Sequence, residues 1–137
     1  MTDGIPHPIP ATAADFPRAF ALAWGTRDAK GLSHLLIEDA GMLSLSGVWS
    51  EGRRAISDSF AAEFSGSFAR SRLVTGKVAL RPLGPAACIL HQRFVLSGLV
   101  DAEARDLGRI AAMLTAVLVE TAAGWQAASL QFSAIDG

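Results

Sequence analysis

The chain has 137 residues, 50% of them apolar, with a formal net charge of -1 and one cysteine, Cys88. This length and apolar content predict a single domain with a packed core and exclude a globally disordered chain. The near-neutral charge offers no electrostatic attraction for nucleic acid or an anionic membrane, and a lone cysteine excludes an intrachain disulfide and a thiolate metal cluster.

The N-terminal residues differ from a targeting signal, since they lack a basic start and an apolar run. No segment of the chain reaches the roughly 20 apolar residues that cross a bilayer. We therefore expect a cytoplasmic protein with neither a membrane nor a nucleic-acid partner. Proline at alternate positions, Pro6, Pro8 and Pro10, excludes helix there and favours extended chain. We expect residues 1–11 to form a flexible arm and residues 12–137 a single domain.

Three segments have the apolar periodicity of helices. The first is predicted to begin at Asp15 and end at Gly25, and the second to begin at Asp28, because aspartate is favoured at a helix N-cap. The third follows a loop at 46–52 that carries Trp49 between two apolar segments. The apolar faces consist of Phe16, Ala19, Phe20, Ala23 and Trp24 in the first helix, Leu32, Leu35 and Leu36 in the second, and Ile56, Phe60 and Phe64 in the third.

From Ser71 onward the periodicity changes to the alternation typical of strands. In the first long strand, Val74, Val78 and Leu80 are predicted to share one face. The predicted strands are a short one at Met42–Leu45 and four long ones at Arg72–Pro82, Ala87–Ser97, Ile110–Glu120 and Trp125–Ile135. Helices followed by a strand meander are typical of an α+β domain with an antiparallel sheet. Curled around the helices, such a sheet forms a cone with one open end.

Both faces of the third long strand are apolar. Leu114 and Ala116 lie on one face and Met113 and Val117 on the other, because side chains alternate between the two faces of a strand. An antiparallel sheet covered by helices on one side normally shows polar residues on the other. We therefore expect a second copy of the chain to cover the outer face, forming a two-fold symmetric homodimer.

The second long strand carries polar candidates for a functional site. Gln92 lies on one of its faces, and His91 and Arg93 lie on the other. His91 titrates near neutral pH, so it is suited to abstract a proton next to a carbonyl while Arg93 stabilises the oxyanion. The same pair also fits an interface or a solvent face, and the pattern favours that interpretation. Gln92 and Gln131 either contact a ligand or hydrogen-bond each other or water, and the sequence leaves open which face of the strand lines the cavity.

Four segments carry a family resemblance: AFALAWGTRDAKGLSHLL in the opening helices, GVWSEGRRAI around Trp49, CILHQRFVLSG in the sheet and LTAVLVETAAGWQAASLQ near the end. Over Phe16 to Phe132 the chain resembles the nuclear transport factor 2-like superfamily, in its SnoaL-like branch. Within it, the chain is similar to small proteins of polyketide and enediyne biosynthetic clusters. The resemblance implies a cystatin-like cone, with three N-terminal helices packed in a strongly curved antiparallel sheet. It also implies a pocket between helices and sheet, and frequent dimerisation through the outer sheet face.

Three functions fit these observations. The first is the binding of an apolar or polycyclic small molecule in the cone cavity, with aromatic walls and an amide that fixes its orientation. The second is an isomerase, cyclase or hydrolase of the kind that the resemblance implies, using His91 and Arg93. The third is a dimerisation module whose cavity is filled by its own side chains. The candidate ligand-binding residues are Trp24, Trp49, Phe60, Phe64, Gln92 and Gln131.

The ionisable residues narrow the enzyme hypothesis. Apart from Glu120 at a strand end, no Asp or Glu lies within a long strand, and the chain has no tyrosine. A tyrosine oxyanion donor is therefore excluded, and the carboxylate base that the resemblance implies for isomerases has no match in the strands. Three scattered histidines and one cysteine offer no metal-ligand spacing. We expect no metal and no cofactor, and the sequence leaves open whether the protein is an enzyme.

Overall fold

The computed structural model describes residues 9–135, which form three helices and one six-stranded sheet. After a 3-10 turn at Ala13–Asp15, the elements are α1 (Phe16–Gly25), α2 (Ala29–His34), β1 (Leu36–Leu43), β2 (Trp49–Glu51), α3 (Arg53–Phe64), β3 (Arg72–Pro82), β4 (Ala87–Ser97), β5 (Ile110–Thr121) and β6 (Gly124–Ala134). The predicted α+β fold, with helices ahead of four long strands, is confirmed. Within the described residues, no helix is long and apolar enough to cross a membrane.

The strands lie in the order β2-β1-β6-β5-β4-β3. The β1 and β6 strands are parallel, and the other neighbouring strands are antiparallel. The helices pack on one face of the sheet, which we call the inner face. Burial alternates along β5: Leu114 and Ala116 are buried on the inner face, whereas Met113 and Val117 are half-buried on the outer face.

The β1 strand begins earlier than predicted, and β2 lies where the sequence predicts a loop. The predicted strand, Met42–Leu45, covers only the end of β1. The β1 strand begins after α2 because the backbone N–H of Ala127 in β6 donates to the carbonyl oxygen of Leu35, at 2.7 Å. The local periodicity of the sequence cannot predict this pairing, because β6 is distant from β1 along the chain.

A bulge in β3 shows that one predicted face is wrong. Val74 pairs with Val95, whereas Val78 pairs with Gln92, and the register shifts between Thr75 and Val78. Val95 lies on the outer face of β4 and Gln92 on its inner face. Val74 and Val78 therefore face opposite sides of the sheet, because one extra residue in a bulge reverses the alternation that follows it.

Only residues 9–11 of the predicted arm are described; residues 1–8 lie outside the described part of the chain. Pro10 is buried, and its carbonyl oxygen accepts a hydrogen bond from the backbone N–H of Trp125 at 2.8 Å. Gly124 has a φ of 135°, and a Cβ atom at this position would lie 2.6 Å from the Pro10 oxygen. Glycine therefore allows the end of the arm to pack against the turn between β5 and β6.

Candidate functional site

Aromatic side chains fill the space between the helices and the inner face of the sheet. The ring centroid of Trp24 lies 5.3 Å from that of Phe64, 5.5 Å from that of Phe68 and 6.0 Å from that of Phe60. Phe132 of β6 approaches the same indole from the sheet, at 6.3 Å. The structure thus brings together three of the predicted ligand-binding residues, Trp24, Phe60 and Phe64, and packs them against one another.

A hydrogen bond fixes the indole ring at the centre of this cluster. Trp24 Nε1 donates to Ser71 Oγ at 3.1 Å, and the Ser71 hydroxyl donates to the carbonyl oxygen of Phe68 at 2.8 Å. The gap beside Trp24, which Ser44 and Glu63 also border, has no room for a water molecule. The cone is therefore closed at this cluster by its own side chains.

The open space lies further out, at the end of the cone. A pocket of about 660 Å³ lies between the α3–β3 turn, the loop at 98–109 and the β1–β2 turn, and its surface is mainly apolar. Leu45 and Phe68 border both this pocket and the closed gap beside Trp24. We call it the mouth pocket; it is lined chiefly by Leu45, Ser46, Phe68, Leu99, Leu107 and Ile110.

One wall of the mouth pocket is the 98–109 loop, which is held by its own hydrogen bonds. Asp101 Oδ1 accepts from two backbone N–H groups of the loop, and Asp101 Oδ2 accepts from Arg105 Nε, each at 2.9 Å. These bonds, chiefly the one from the Arg105 backbone, hold the pKa of the Asp101 carboxyl below its usual value. The backbone N–H of Val100 also donates to the carbonyl oxygen of Ser67 at 3.2 Å, and this bond joins the loop to the α3–β3 turn.

Glu63 of α3 lies between the mouth pocket and the aromatic interior. Its side chain is half-buried, and Oε2 accepts a hydrogen bond from the Ser46 hydroxyl at 2.9 Å. The Ser46 and Ser44 hydroxyls are themselves 2.9 Å apart. Burial raises the pKa of the Glu63 carboxyl above its ordinary value of 4.5, and the hydrogen bond from Ser46 opposes part of that rise. Ser46 lines the mouth pocket and Glu63 does not, so the carboxyl is linked to the pocket through the Ser46 hydroxyl.

Glu63 was not predicted as a functional residue, because a carboxylate base was expected in the long strands and not in a helix. The spacing in α3 held the signal: Glu63 lies three positions after Phe60 and one before Phe64. Residues three apart in a helix are neighbours on its surface. Glu63 therefore lies at the edge of the aromatic face that the sequence predicts to be buried.

The predicted catalytic pair lies on the outer face of the sheet. His91 and Arg93 are exposed, whereas their neighbour Gln92 is buried on the inner face. Thr115 pairs with both His91 and Gln131, so Gln131 also faces outward, where it is exposed. None of these outward-facing side chains borders the mouth pocket. The structure does not bring His91, Arg93 or Gln131 together with the aromatic cluster.

Trp49 lies apart from the other predicted aromatic residues. It belongs to the edge strand β2, and its side chain is 53% exposed. Its ring covers Gly41 of β1, where a Cβ atom would come within 2.9 Å of the indole. Trp49 Nε1 donates to Glu51 Oε1 at 3.0 Å. Trp49 therefore covers part of the outer face and borders no cavity shared with Trp24.

Gln92 is the remaining polar candidate. It is 1% exposed, and its Oε1 has no hydrogen-bond partner within residues 9–135. It borders a cleft between α1 and β3 and not the mouth pocket. Within the same described range, no group of three His, Cys, Asp or Glu side chains is arranged to hold a metal ion.

The sequence matches the family of SnoaL-like domains over residues 14–137. The chain belongs to the SnoaL-like family. The resemblance to the nuclear transport factor 2-like superfamily that four sequence segments indicate is therefore confirmed. A comparison of this SnoaL-like protein with curated proteins finds no match.

Solved structures share the fold of this SnoaL-like protein at low sequence identity. An uncharacterised protein with a cystatin-like fold from Caulobacter vibrioides has a TM-score of 0.82 and 17% identity, over 90% of this chain and 87% of that one. A ketosteroid isomerase-like protein from Erwinia carotovora atroseptica has a TM-score of 0.75 and 12% identity, over 90% and 94%. A candidate calcium/calmodulin-dependent protein kinase II association domain from Xanthomonas campestris has a TM-score of 0.74 and 16% identity, over 98% and 97%. Such identities show the fold alone.

The raised pKa of Glu63 predicts a pH-dependent effect of Glu63→Gln on stability. Burial disfavours the charged carboxylate in the folded state, so wild-type stability falls as pH rises through 4.5 towards the raised folded pKa. Glutamine keeps an acceptor for Ser46 but does not ionise. We expect the free energy of unfolding of the variant, relative to wild type, to be higher at about pH 7 than at about pH 4.

Urea denaturation of both proteins at a series of pH values measures this difference. Asp58→Asn removes a negative charge from an exposed position of the same helix and serves as the control. A relative stability of Glu63→Gln that stays constant with pH, or that falls as pH rises, would contradict the assignment of Glu63 as a carboxyl destabilised by burial.

Proposed function

We propose that this SnoaL-like protein binds an apolar or polycyclic small molecule in the mouth pocket. The pocket volume of about 660 Å³ supports this proposal, since ligand pockets typically measure roughly 300–1,000 Å³. The gap beside Trp24, by contrast, has no room for a water molecule. The proposed ligand therefore rests on Phe68 and Leu45, outside the cluster of Trp24, Phe60 and Phe64.

The mouth pocket offers an apolar surface with a polar group at its inner edge. Apolar contact would come mainly from Phe68, Leu107 and Ile110, and burial of apolar surface contributes roughly 25 cal/mol per Å². Ser46 lines the pocket and hydrogen-bonds Glu63. A polar group on the ligand would hydrogen-bond the Ser46 hydroxyl, which the Glu63 carboxylate holds in place, and this contact would fix the orientation of the apolar body.

The geometry favours this proposal over its two alternatives. Catalysis by His91 with Arg93 would need a cavity on the outer face, where both side chains are exposed. The hypothesis of a dimerisation module without a ligand is consistent with the closed aromatic interior. It does not explain the presence of the mouth pocket. The cytoplasmic location predicted from the sequence stays a prediction.

We also propose that two copies of the chain associate through the outer face. Ile89, Val95, Met113 and Val117 are half-buried apolar side chains on this face, with the exposed His91 and Arg93 between them, and no helix of the described chain packs over them. A two-fold interface buries the same patch on both subunits. The Xanthomonas campestris neighbour, a candidate association domain, supports assembly as a use of this fold.

Leu107→Ser tests the mouth pocket, with Nile red, a neutral dye that fluoresces in apolar surroundings, as the probe. We expect wild type to bind the dye and the variant to bind it about tenfold more weakly, because the dye would bury the half-exposed Leu107 side chain and about 1.4 kcal/mol is a tenfold change in affinity. Fluorescence titration measures both dissociation constants. The control is Leu83→Ser, since Leu83 is 50% exposed and Leu107 52% exposed, and Leu83 lies in the β3–β4 turn. Equal weakening by both substitutions would refute the pocket assignment.

Val117→Glu tests the proposed homodimer. In the dimer each subunit would bury a charged carboxylate in the interface, and its desolvation would weaken association, so we expect the variant to sediment as a monomer where wild type sediments as a dimer. Analytical ultracentrifugation distinguishes the two masses. Val48→Glu, at an exposed valine of the β1–β2 turn, is the matched control and should remain dimeric. A monomeric wild type, or a dimer that survives Val117→Glu, would rule out this interface.

A further inference from the structure

The unpartnered oxygen of Gln92 marks a place where a hydrogen-bond donor is missing. In the β4 ladder Gln92 pairs with Val78 on one side and Leu114 on the other, and neither side chain can donate a hydrogen bond. The overlying helix presents Pro17 and Ala21, whose side chains are also apolar. A buried amide oxygen without a partner costs free energy, so this site is incomplete without a further group.

Gln92 lies at the floor of a cleft between α1 and β3. The cleft has a volume of about 570 Å³, and it shares no lining residue with the mouth pocket. It opens beside the β3 bulge, where the register with β4 shifts between Thr75 and Val78. Gly76 lies in this bulge, and a Cβ atom there would be 3.2 Å from the carbonyl oxygen of Arg93. The bulge therefore interrupts the regular pairing of the edge strand β3 with β4 next to Gln92.

The side chains that line this cleft are mostly apolar, and besides Gln92 the polar ones are Thr75, Asp15 and Arg18. Leu22 of α1 and Val78 of β3 are large apolar side chains that remain exposed. Asp15, at the end of the 3-10 turn, and Arg18, in the first turn of α1, lie at the rim. An apolar cleft with one recessed polar group is the usual form of a small-molecule site. A flat protein surface could not reach Gln92, because only 1% of this residue is exposed.

We propose that the cleft between α1 and β3 is a second ligand site, for a compact apolar molecule with one hydroxyl group. The hydroxyl donates a hydrogen bond to the Gln92 amide oxygen while the apolar body packs between Leu22 and Val78. A hydroxyl both donates and accepts, so it complements either end of the side-chain amide. The site is independent of the mouth pocket and of the outer face.

Phenol and toluene form a matched pair of probes, because they have nearly the same shape and only phenol carries a hydroxyl. Titration of the isotope-labelled full-length protein, followed by nuclear magnetic resonance, gives both affinities and locates the response. We expect the methyl resonances of Leu22 and Val78 to shift, and phenol to bind about tenfold more tightly than toluene. In Gln92→Leu, which keeps the volume of the side chain, this preference should disappear.

Two further variants separate this site from the mouth pocket and from a folding defect. Leu107→Ser should leave the phenol response of the cleft unchanged, and Leu22→Ser should weaken phenol and toluene alike. The proposal is overturned if phenol shifts no cleft resonance or if the preference for phenol survives Gln92→Leu. It is equally overturned if a crystal soaked in phenol shows only an ordered water on Gln92.

Discussion

The packing of Trp24 against five phenylalanine rings, that of Phe20 in its own helix and four others, is the interaction on which the rest of the structure depends. The indole joins α1 to Phe60 and Phe64 of α3, to Phe68 in the following turn and to Phe132 on the sheet. Burial of such rings contributes far more than any single surface contact. Because the indole N–H is also satisfied by a buried serine, the cluster is complete without a ligand.

Closure of the interior determines where the protein can bind other molecules. Because the aromatic cluster fills the cone, the mouth pocket lies outside it, between the α3–β3 turn and the 98–109 loop. The same closure leaves Glu63 half-buried between the cluster and solvent, and this position raises the pKa of its carboxyl. A buried core and an accessible polar edge are thus two results of one packing arrangement.

The sequence predicted the elements better than the site. The bounds Arg72–Pro82 and Ala87–Ser97 agree with the structure, because long alternating runs between turns leave few other interpretations. Local periodicity could not reveal the parallel pairing of β1 with β6, nor the bulge that separates Val74 from Val78. Both depend on partners distant along the chain, which a local pattern does not contain.

The sequence identified the aromatic residues of the interior. Their predicted role as walls of a ligand cavity required an empty interior, which the structure does not have. Spacing placed Phe60 and Phe64 on one face, yet it could not show that Trp24 fills the space between them and the sheet. Spacing also placed His91 and Arg93 on one face of β4 without showing which face meets the helices. Glu63 was predictable from its position beside Phe60 and Phe64, once helices are searched for carboxylates as closely as strands.

Hydrogen exchange at the Trp24 indole N–H tests the closed interior most directly. If the cluster is closed, this proton exchanges only when the whole domain unfolds, so its free energy of exchange should equal the free energy of unfolding measured with denaturant. The exposed Trp49 provides an internal reference in the same spectrum. Exchange at Trp24 with a much lower free energy than global unfolding would show that the interior opens in the native state, and it would contradict the account.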